Sequence, residues 1–296
     1  MDEYRKSTPP VSTIRAGLSA GLHARENGER EFSFSVVDFE RVRKLIYQHA
    51  GISLSPVKQD MVYSRLARRL RATGMQSFAQ YLDALESKGG DEWERFVNSL
   101  TTNLTSFFRE AHHFDVLKRL VVPGHAPGRP LRVWSAACSS GEEPYSVAMV
   151  LYDEMGASGW EIMASDISQG TLAKAAAGLY RMERIDGIPQ EYLKAFCLKG
   201  KGEFEGRLLI SKSLRERVQF RQINLTDLPP DLGRFDVVLL RNVIIYFDTP
   251  TKLRVLESIC DRLQPGGWLL LGHSESLAGF DLPLEQIRPA VYRRRD

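Results

Sequence analysis

Leu131-Arg132-Val133-Trp134-Ser135-Ala136-Ala137-Cys138-Ser139-Ser140-Gly141-Glu142-Glu143-Pro144 is the stretch on which the fold of this 296-residue chain turns. Leu131 to Trp134 reads as a short strand. A loop of small residues, Ser135 to Gly141, follows. A helix then starts near Pro144, because proline is favoured in a first helical turn. Strand, small-residue loop and helix in that order open an α/β unit.

The rest of the C-terminal half repeats the alternation. Glu161 to Asp166 is a second strand that ends in an acid, and residues 168 to 180 are alanine-rich and helical. Val218 to Ile223 is a third strand. Phe235 to Leu240 is a fourth, almost continuously apolar, as a strand buried on both faces should be. A helix over 250–263, a turn at Gln264-Pro265-Gly266-Gly267 and a fifth strand at Trp268 to Leu271 come next. Ala290 to Arg293 reads as a last edge strand. The expected fold class is α/β with a mostly parallel sheet. One segment, 183–217, breaks the pattern with Pro189, Gly200, Gly202 and Gly206 around short apolar pieces, so it reads as an inserted β-subdomain with an antiparallel hairpin.

Upstream the period is helical throughout. Phe39, Val42, Leu45, Ile46 and His49 share one stripe, with Asp38 as the expected cap and Gly51 as the stop. A second helix is expected from Pro56 to Ala72, a third is marked by Phe78, Tyr81, Leu82 and Leu85, and a fourth by Trp93, Phe96, Val97 and Leu100. Four helices without intervening strands make a small all-α unit. The domain reading is a flexible tail over 1–31, a helical domain over 32–103 and an α/β domain over 104–296, in line with a length near two ordinary domains.

With 43% hydrophobic residues, 26% charged residues and a net charge of +3, the composition is globular and gives no general bias toward nucleic acid. The longest nearly apolar run, Phe235 to Phe247, is interrupted by Asp236, Arg241 and Asn242, so no membrane insertion is expected. Nothing apolar follows Met1 to Lys6 to make a secretory signal. Three widely spaced cysteines, Cys138, Cys197 and Cys260, build no disulfide framework and fit a reducing cytoplasm.

In an open parallel sheet, ligands bind beyond the carboxyl ends of the strands. Here the first such loop has one glycine, Gly141, and two acids after it. A pyrophosphate would be repelled by Glu142 and Glu143 at a helix start, whereas a cation without phosphate would not. S-adenosylmethionine carries a sulfonium and an ammonium and no phosphate. Asp166 ends the second strand at about the offset where an acid binds ribose hydroxyls; its other reading is a cap for the helix that follows. Asn224 would lie near the adenine, and Arg241-Asn242-Val243 beside the ligand, each at a strand end.

Taken in order, Asn103 to Glu110, Val133 to Ser146, Ala164 to Ile167, Arg241 to Asp248 and Gly272-His273-Ser274-Glu275 resemble the CheR-type chemotaxis receptor methyltransferases. The resemblance spans about residues 36 to 293. It implies a Rossmann-like S-adenosylmethionine-dependent methyltransferase domain beside the helical one. The activity implied is protein-glutamate O-methyltransfer to cytoplasmic helices of chemoreceptors, giving methyl esters, with S-adenosylhomocysteine as product. By the family pattern, Asn103, Thr105, Arg109, Glu143, Asp166, Asn224, Leu225, Asn242 and Val243 line the cofactor, with Glu143 suited to its ammonium and Glu142 the lesser ligand of the pair.

This reaction fits the residue types. A glutamate of pKa about 4.3 is ionised at neutral pH, so displacement at a sulfonium carbon needs neither a general base nor a metal. Arg109 is the candidate to hold the acceptor carboxylate or the cofactor's acid group, since a guanidinium grips carboxylates in a fixed fork; it reads otherwise as a surface arginine in a first helical turn. Tyr246 is the candidate wall of the methyl-transfer pocket or a core tyrosine. His112 and His113 are adjacent and point apart on a helix, and no acid or cysteine spacing completes a ligand set, so no metal centre is expected. His273 reads as ordering its loop.

Between Asp38 and Arg71 eight basic residues stand against three acidic ones. Lys58, Arg65, Arg68 and Arg69 share one helical face, which suits an acidic receptor helix. Lys199-Gly200-Lys201-Gly202 fits a hairpin edge for a C-terminal receptor tether peptide. A nucleic-acid methyltransferase would also explain the basic helix, but no Asn-Pro-Pro-Tyr, Asp-Pro-Pro-Tyr or Pro-Cys segment follows the fourth strand. A non-catalytic S-adenosylmethionine-binding receptor module is the other alternative. A dehydrogenase fits the acidic loop poorly.

Overall fold

The computed structural model describes residues 30–296. Most of the tail expected over 1–31 lies outside those residues. Its last two, Arg30 and Glu31, are tied down, Arg30 to Asp60 and Glu31 to Arg71.

Four helices come first: α1 (Val36–Ala50), α2 (Gln59–Thr73), α3 (Phe78–Lys88) and α4 (Asp91–Leu100). The cap of α1 is Ser35 rather than Asp38. Ser35 Oγ accepts from the Asp38 N–H at 3.1 Å, and Asp38 returns the contact on the Ser35 N–H at 2.9 Å. This reciprocal box satisfies two donors that a helix start leaves unpaired. Gly51 ends α1 at φ 69, a left-handed position that glycine adopts without strain. Phe39, Val42, Leu45 and Ile46 are buried as their spacing requires, but His49 is exposed and stacks on Trp93.

The strands are β1 (Leu131–Ser135), β2 (Trp160–Asp166), β3 (Leu179–Arg181), β4 (Cys197–Lys199), β5 (Arg207–Ile210), β6 (Val218–Gln222), β7 (Phe235–Leu240), β8 (Leu263–Leu271), β9 (Leu284–Arg288) and β10 (Val291–Arg294). Seven form one sheet in the order β6-β2-β1-β7-β8-β10-β9. The first five of that order run parallel, and β10 and β9 add antiparallel. The chain order reverses between β1 and β7, which is where such a sheet opens a crevice.

Three expectations about elements need correction. The last edge strand is β10, but it is internal, because β9 covers it; the pattern hid β9, whose Glu285, Gln286, Ile287 and Arg288 are all exposed. The turn at 264–267 is a bulge inside β8, where Leu263 pairs with Phe235 and Trp268 with Val237. The alanine-rich helix stops at Ala177, closed by Gly178 at φ 61, and the chain enters β3 at once. The small antiparallel sheet, in the order β3-β5-β4, therefore begins at Leu179, ahead of the 183–217 span.

Two cores sit on the two faces of the large sheet. Val133, Val237, Leu239 and Leu270 pack with helix Glu142–Met155 and the small sheet. Trp134, Val238, Leu240 and Leu271 face the other way, into a core that continues through Leu225, Phe247 and Ile52 into the four helices. Helical unit and sheet thus share one continuous apolar interior. The three cysteines are free. Among the described residues no helix is long and apolar enough to cross a membrane.

Candidate active site

A cleft of about 950 Å³, counting its open mouth, lies over the carboxyl ends of β2, β1 and β7. Ala136 and Ala137 floor it. Ile52 from the helical unit and Ile167, Ile223 and Leu225 from the sheet rim give it apolar walls. The segment Thr101–Ser106, between the helices and the sheet, crosses its mouth.

Two carboxylates line this cleft, one at the end of β2 and one in the first turn of the helix after β1. Asp166 ends β2. The cap of the next helix is Ser168, whose Oγ accepts from the Thr171 N–H at 3.1 Å, so Asp166 is free of that duty. Its own oxygens accept from the main-chain N–H groups of Ser139 at 2.9 Å and Ser168 at 3.0 Å. Burial pushes its carboxyl above the ordinary range, against those donors.

Glu143 lies in the first turn of helix Glu142–Met155. It accepts from Ser135 Oγ at 2.7 Å and pairs with Arg241 Nη1 at 2.9 Å. Burial raises its carboxyl too, opposed by Arg241 and Ser135. Glu142 points away, fully buried, 3.1 Å from Arg184.

Gly141 does a different job from the one its loop suggested. It stands at φ 94, and a Cβ there would lie 2.8 Å from Ala175 Cβ and 2.9 Å from the Tyr180 hydroxyl. It permits close helix packing beneath the cleft; Ala136 and Ala137 are what let a ligand approach.

The cleft also brings Asn103, Thr105, Arg109, Asn224, Leu225, Asn242, Val243 and Tyr246 together with the two acids. Arg109 sits in the loop before helix His112–Val116, half-buried, its Nη1 donating to the Leu104 carbonyl at 3.1 Å. Tyr246 ends the short turn Ile244–Tyr246 and is half-buried on the cleft rather than sealed in the core. The Asn224 amide is already engaged: it donates to the His49 carbonyl at 2.8 Å, and its oxygen accepts from Thr226. Its side chain shapes the cleft rather than offering free donors.

Two non-glycine residues lining the cleft hold left-handed backbone, Ser139 (φ 49) and Asn242 (φ 58), as do Phe108 (φ 51) and Glu110 (φ 59) on either side of Arg109. Such positions cost about 1–3 kcal/mol each and cluster where function over-determines geometry.

At the base of the cleft Arg241, expected beside the ligand, is tied into a cluster of charges that motif reading did not foresee. Arg241 is buried, with Glu143 at 2.9 Å, Glu110 at 3.5 Å, and the Arg109 carbonyl as a further acceptor. Its signal was a lone cation closing an otherwise apolar strand. Glu110 also gathers His112 and His113, and among the described residues these three place ligand-type atoms within 4.8 Å of one another, which their spacing had not suggested. The rings of the two histidines lie 4.1 Å apart, one buried and one exposed. The Arg241 guanidinium already supplies the positive charge facing Glu110. Burial, with help from Arg241, depresses the His113 imidazole to about 3.

The basic face needs correction. Arg65 donates to the carbonyls of Leu100 at 3.0 Å and Thr101 at 2.9 Å, closing the end of α4. Arg69 grips Glu92 at 3.0 and 2.8 Å. Both are committed to the helical unit, while Arg68 is exposed and Lys58 half-buried.

A cleft with two carboxylates, small residues and apolar walls, whose adjoining helix opens with two acids that repel phosphate, fits an adenosyl group carrying a cationic amino-acid tail. Comparison with known proteins agrees. The model of the CheR methyltransferase SAM binding domain matches residues 103–292, and that of the CheR methyltransferase all-alpha domain matches 37–101. Chemotaxis protein methyltransferase 2 of Pseudomonas aeruginosa is 43% identical over 268 residues, covering 90% of this chain and 95% of that one. The chemotaxis protein methyltransferase of Escherichia coli is 44% identical over 255 residues, covering 84% and 87%. Among solved structures, the glycopeptide N-methyltransferase MtfA complexed with S-adenosylmethionine aligns at 20% identity and a TM-score of 0.35, over 64% of this chain and 59% of that one.

Proposed function

The chain belongs to the CheR methyltransferase family, and from that premise we propose that this S-adenosylmethionine-dependent methyltransferase esterifies glutamate side chains on the helices of chemoreceptors. The observation that carries the reading is the pair Glu143 and Asp166, two half-buried carboxylates, one in the first turn of a helix and one at the end of β2, on one cleft whose wall holds Arg109 and Tyr246. Asp166 holds the ribose hydroxyls and Glu143 the ammonium. Asn103, Thr105, Leu225, Asn242 and Val243 enclose the rest, and Asn224 fixes the adenine end through its shape.

When bound, the cofactor supplies an electrophilic methyl group on a positive sulfur. The chain's task is then to place a carboxylate in line with it. An ionised glutamate needs no base, so no side chain here has to take a proton, and no step calls on a metal. Arg109, at the mouth and not in an ion pair among the described residues, suits a bidentate hold on the acceptor carboxylate. Tyr246 closes the opposite wall and keeps water from the reacting carbon. Arg241 neutralises part of the Glu143 charge, so the cradle retains a cation without trapping it.

Lys58 and Arg68 give the receptor helix its first cationic contact. The β4 edge of the small sheet, with exposed Leu198 beside Lys199, offers a place for a tether peptide to add as a strand. Calorimetry with receptor C-terminal peptides tests that second contact, and silence with every native receptor tail counts against it.

The decisive experiment is transfer of labelled methyl from S-adenosylmethionine to purified receptor. Label on receptor that mild base releases as methanol is the expected result. Base-stable label, or label on nucleic acid instead, overturns the reading.

A further inference from the structure

The Gly272-His273-Ser274-Glu275 segment follows β8 and has no part in the chemistry above. Its acid is nevertheless among the most buried charges near the cleft, with Glu275 only 6% exposed. Oε2 accepts from the main-chain N–H groups of Asn242 and Gly272, both at 2.7 Å. Oε1 accepts from those of Ile244 at 2.9 Å and Ile245 at 3.4 Å. Three of these four donors belong to the turn after β7, which carries Asn242, Val243 and Tyr246.

Backbone N–H groups that converge on one point repel one another unless an anion sits there. The turn also contains Asn242 in left-handed backbone, a conformation that needs outside support. Gly272 makes room for the arrangement: a Cβ there would lie 2.4 Å from Asn242 Nδ2 and 2.7 Å from Glu275 Oε2. From the far side, the Ser53 N–H donates to the Tyr246 carbonyl at 2.8 Å, so the turn is held at both ends.

We infer that Glu275 is a positioning residue: as an anion bound by main-chain donors, it fixes the Asn242–Tyr246 turn and thereby sets Tyr246 against the acceptor. This rests on the functional reading above. Asp166 and Glu143, the cofactor's two charged anchors, share no hydrogen bond with Glu275; of the cofactor's lining only Asn242 and Val243 ride on the turn that it holds.

The test is E275Q in the full chain. Glutamine keeps the shape, but its amide nitrogen turns two donors toward donors. At saturating cofactor and receptor, kcat is expected to fall by roughly tenfold to a hundredfold, as misplacement of a reacting wall does. The Kd for S-adenosylhomocysteine, by calorimetry, is expected to rise much less, by about threefold, since Asn242 and Val243 shift while Asp166 and Glu143 stay in place. E275D, shorter but charged, should recover part of the loss. A role in packing alone predicts the reverse order, with glutamine tolerated and aspartate not. Amide exchange reads the same point without turnover: E275Q should speed exchange across 242–247 by about tenfold or more and leave β1 unchanged. If E275Q does not fold, E275D carries the test: the shortened carboxylate should speed exchange across 242–247 and leave β1 unchanged, and unaltered exchange would overturn the role.

The inference is overturned by E275Q with kcat within twofold of wild type and unaltered exchange, by a Kd that rises as much as kcat falls, or by aspartate worse than glutamine. Failure of the wild type to methylate receptor is a different result. It would sink the functional reading, and amide exchange would then decide the positioning role alone.

Discussion

Glu143 and Asp166 are acids whose folded-state carboxyls burial holds above their ordinary range. The protonated form is therefore favoured in the folded chain more than in the unfolded one. On that account stability declines as pH rises through the window between the ordinary and the raised values. A cationic ligand acts in the opposite sense, since it needs the ionised acids. Affinity for S-adenosylmethionine should strengthen as pH rises through that window and then level off, with a proton released on binding. Calorimetry in buffers of different ionisation enthalpy checks this. E143Q should weaken affinity by about tenfold or more, roughly 1.4 kcal/mol or more, and flatten the pH dependence; an unchanged pH profile would contradict the assignment.

At the level of elements, the arginines of α2 separate into two kinds. Arg69 is held by Glu92, which also accepts from the Tyr81 hydroxyl at 2.8 Å, so α2, α3 and α4 meet at one carboxylate. Arg68 contacts none of these and is exposed. R69A should lower stability by about 1–3 kcal/mol, since it strands a partly buried carboxylate. R68A should stay within about 0.5 kcal/mol of wild type, as ordinary surface changes do. In receptor binding the order should invert after correction for folding, with R68E the weaker binder and the effect shrinking at high salt. Thermal melts beside a pull-down titration separate the two; equal loss of binding for both would mean that the face acts through its fold.

The same elements mark how far the sequence could be read. The helices of the N-terminal unit and the five parallel strands were legible because each carries an apolar stripe or run, with Gly51 marking the end of α1. β9 was not, because an edge strand that turns four polar or exposed side chains outward has no apolar period to detect. β3 hid behind the alanine-rich helix, whose true stop was a single left-handed glycine. Of the site, the rim residues were legible as strand-end motifs. Ile52, the ion pairs of Arg241 with Glu143 and Glu110, and the grip of Glu275 on the turn after β7 were not, because they depend on contacts between segments far apart in the chain that no local spacing encodes. Arg65 and Arg69 passed for a free face for the same reason: their partners lie on α4 or just beyond it.

For the whole molecule, the continuous core through Leu225, Phe247 and Ile52 has a thermodynamic reading. The helical unit supplies one wall of the cleft, the acceptor for Asn224 and the donor for the Tyr246 carbonyl. The two units should open together. Native-state exchange should give the slowest amides of α1 and of β7 a common opening free energy, and S-adenosylhomocysteine should raise both. An α1 that exchanges independently and ignores the ligand would refute this.

The four left-handed positions around the cleft carry a consequence for the history of such a chain. Phe108, Glu110, Ser139 and Asn242 each keep a side chain where glycine would sit more comfortably. Selection for heat resistance alone would drift toward relaxing them, and would blunt turnover as it did so. A chain relaxed at these positions is expected to resist heat better and to turn over more slowly.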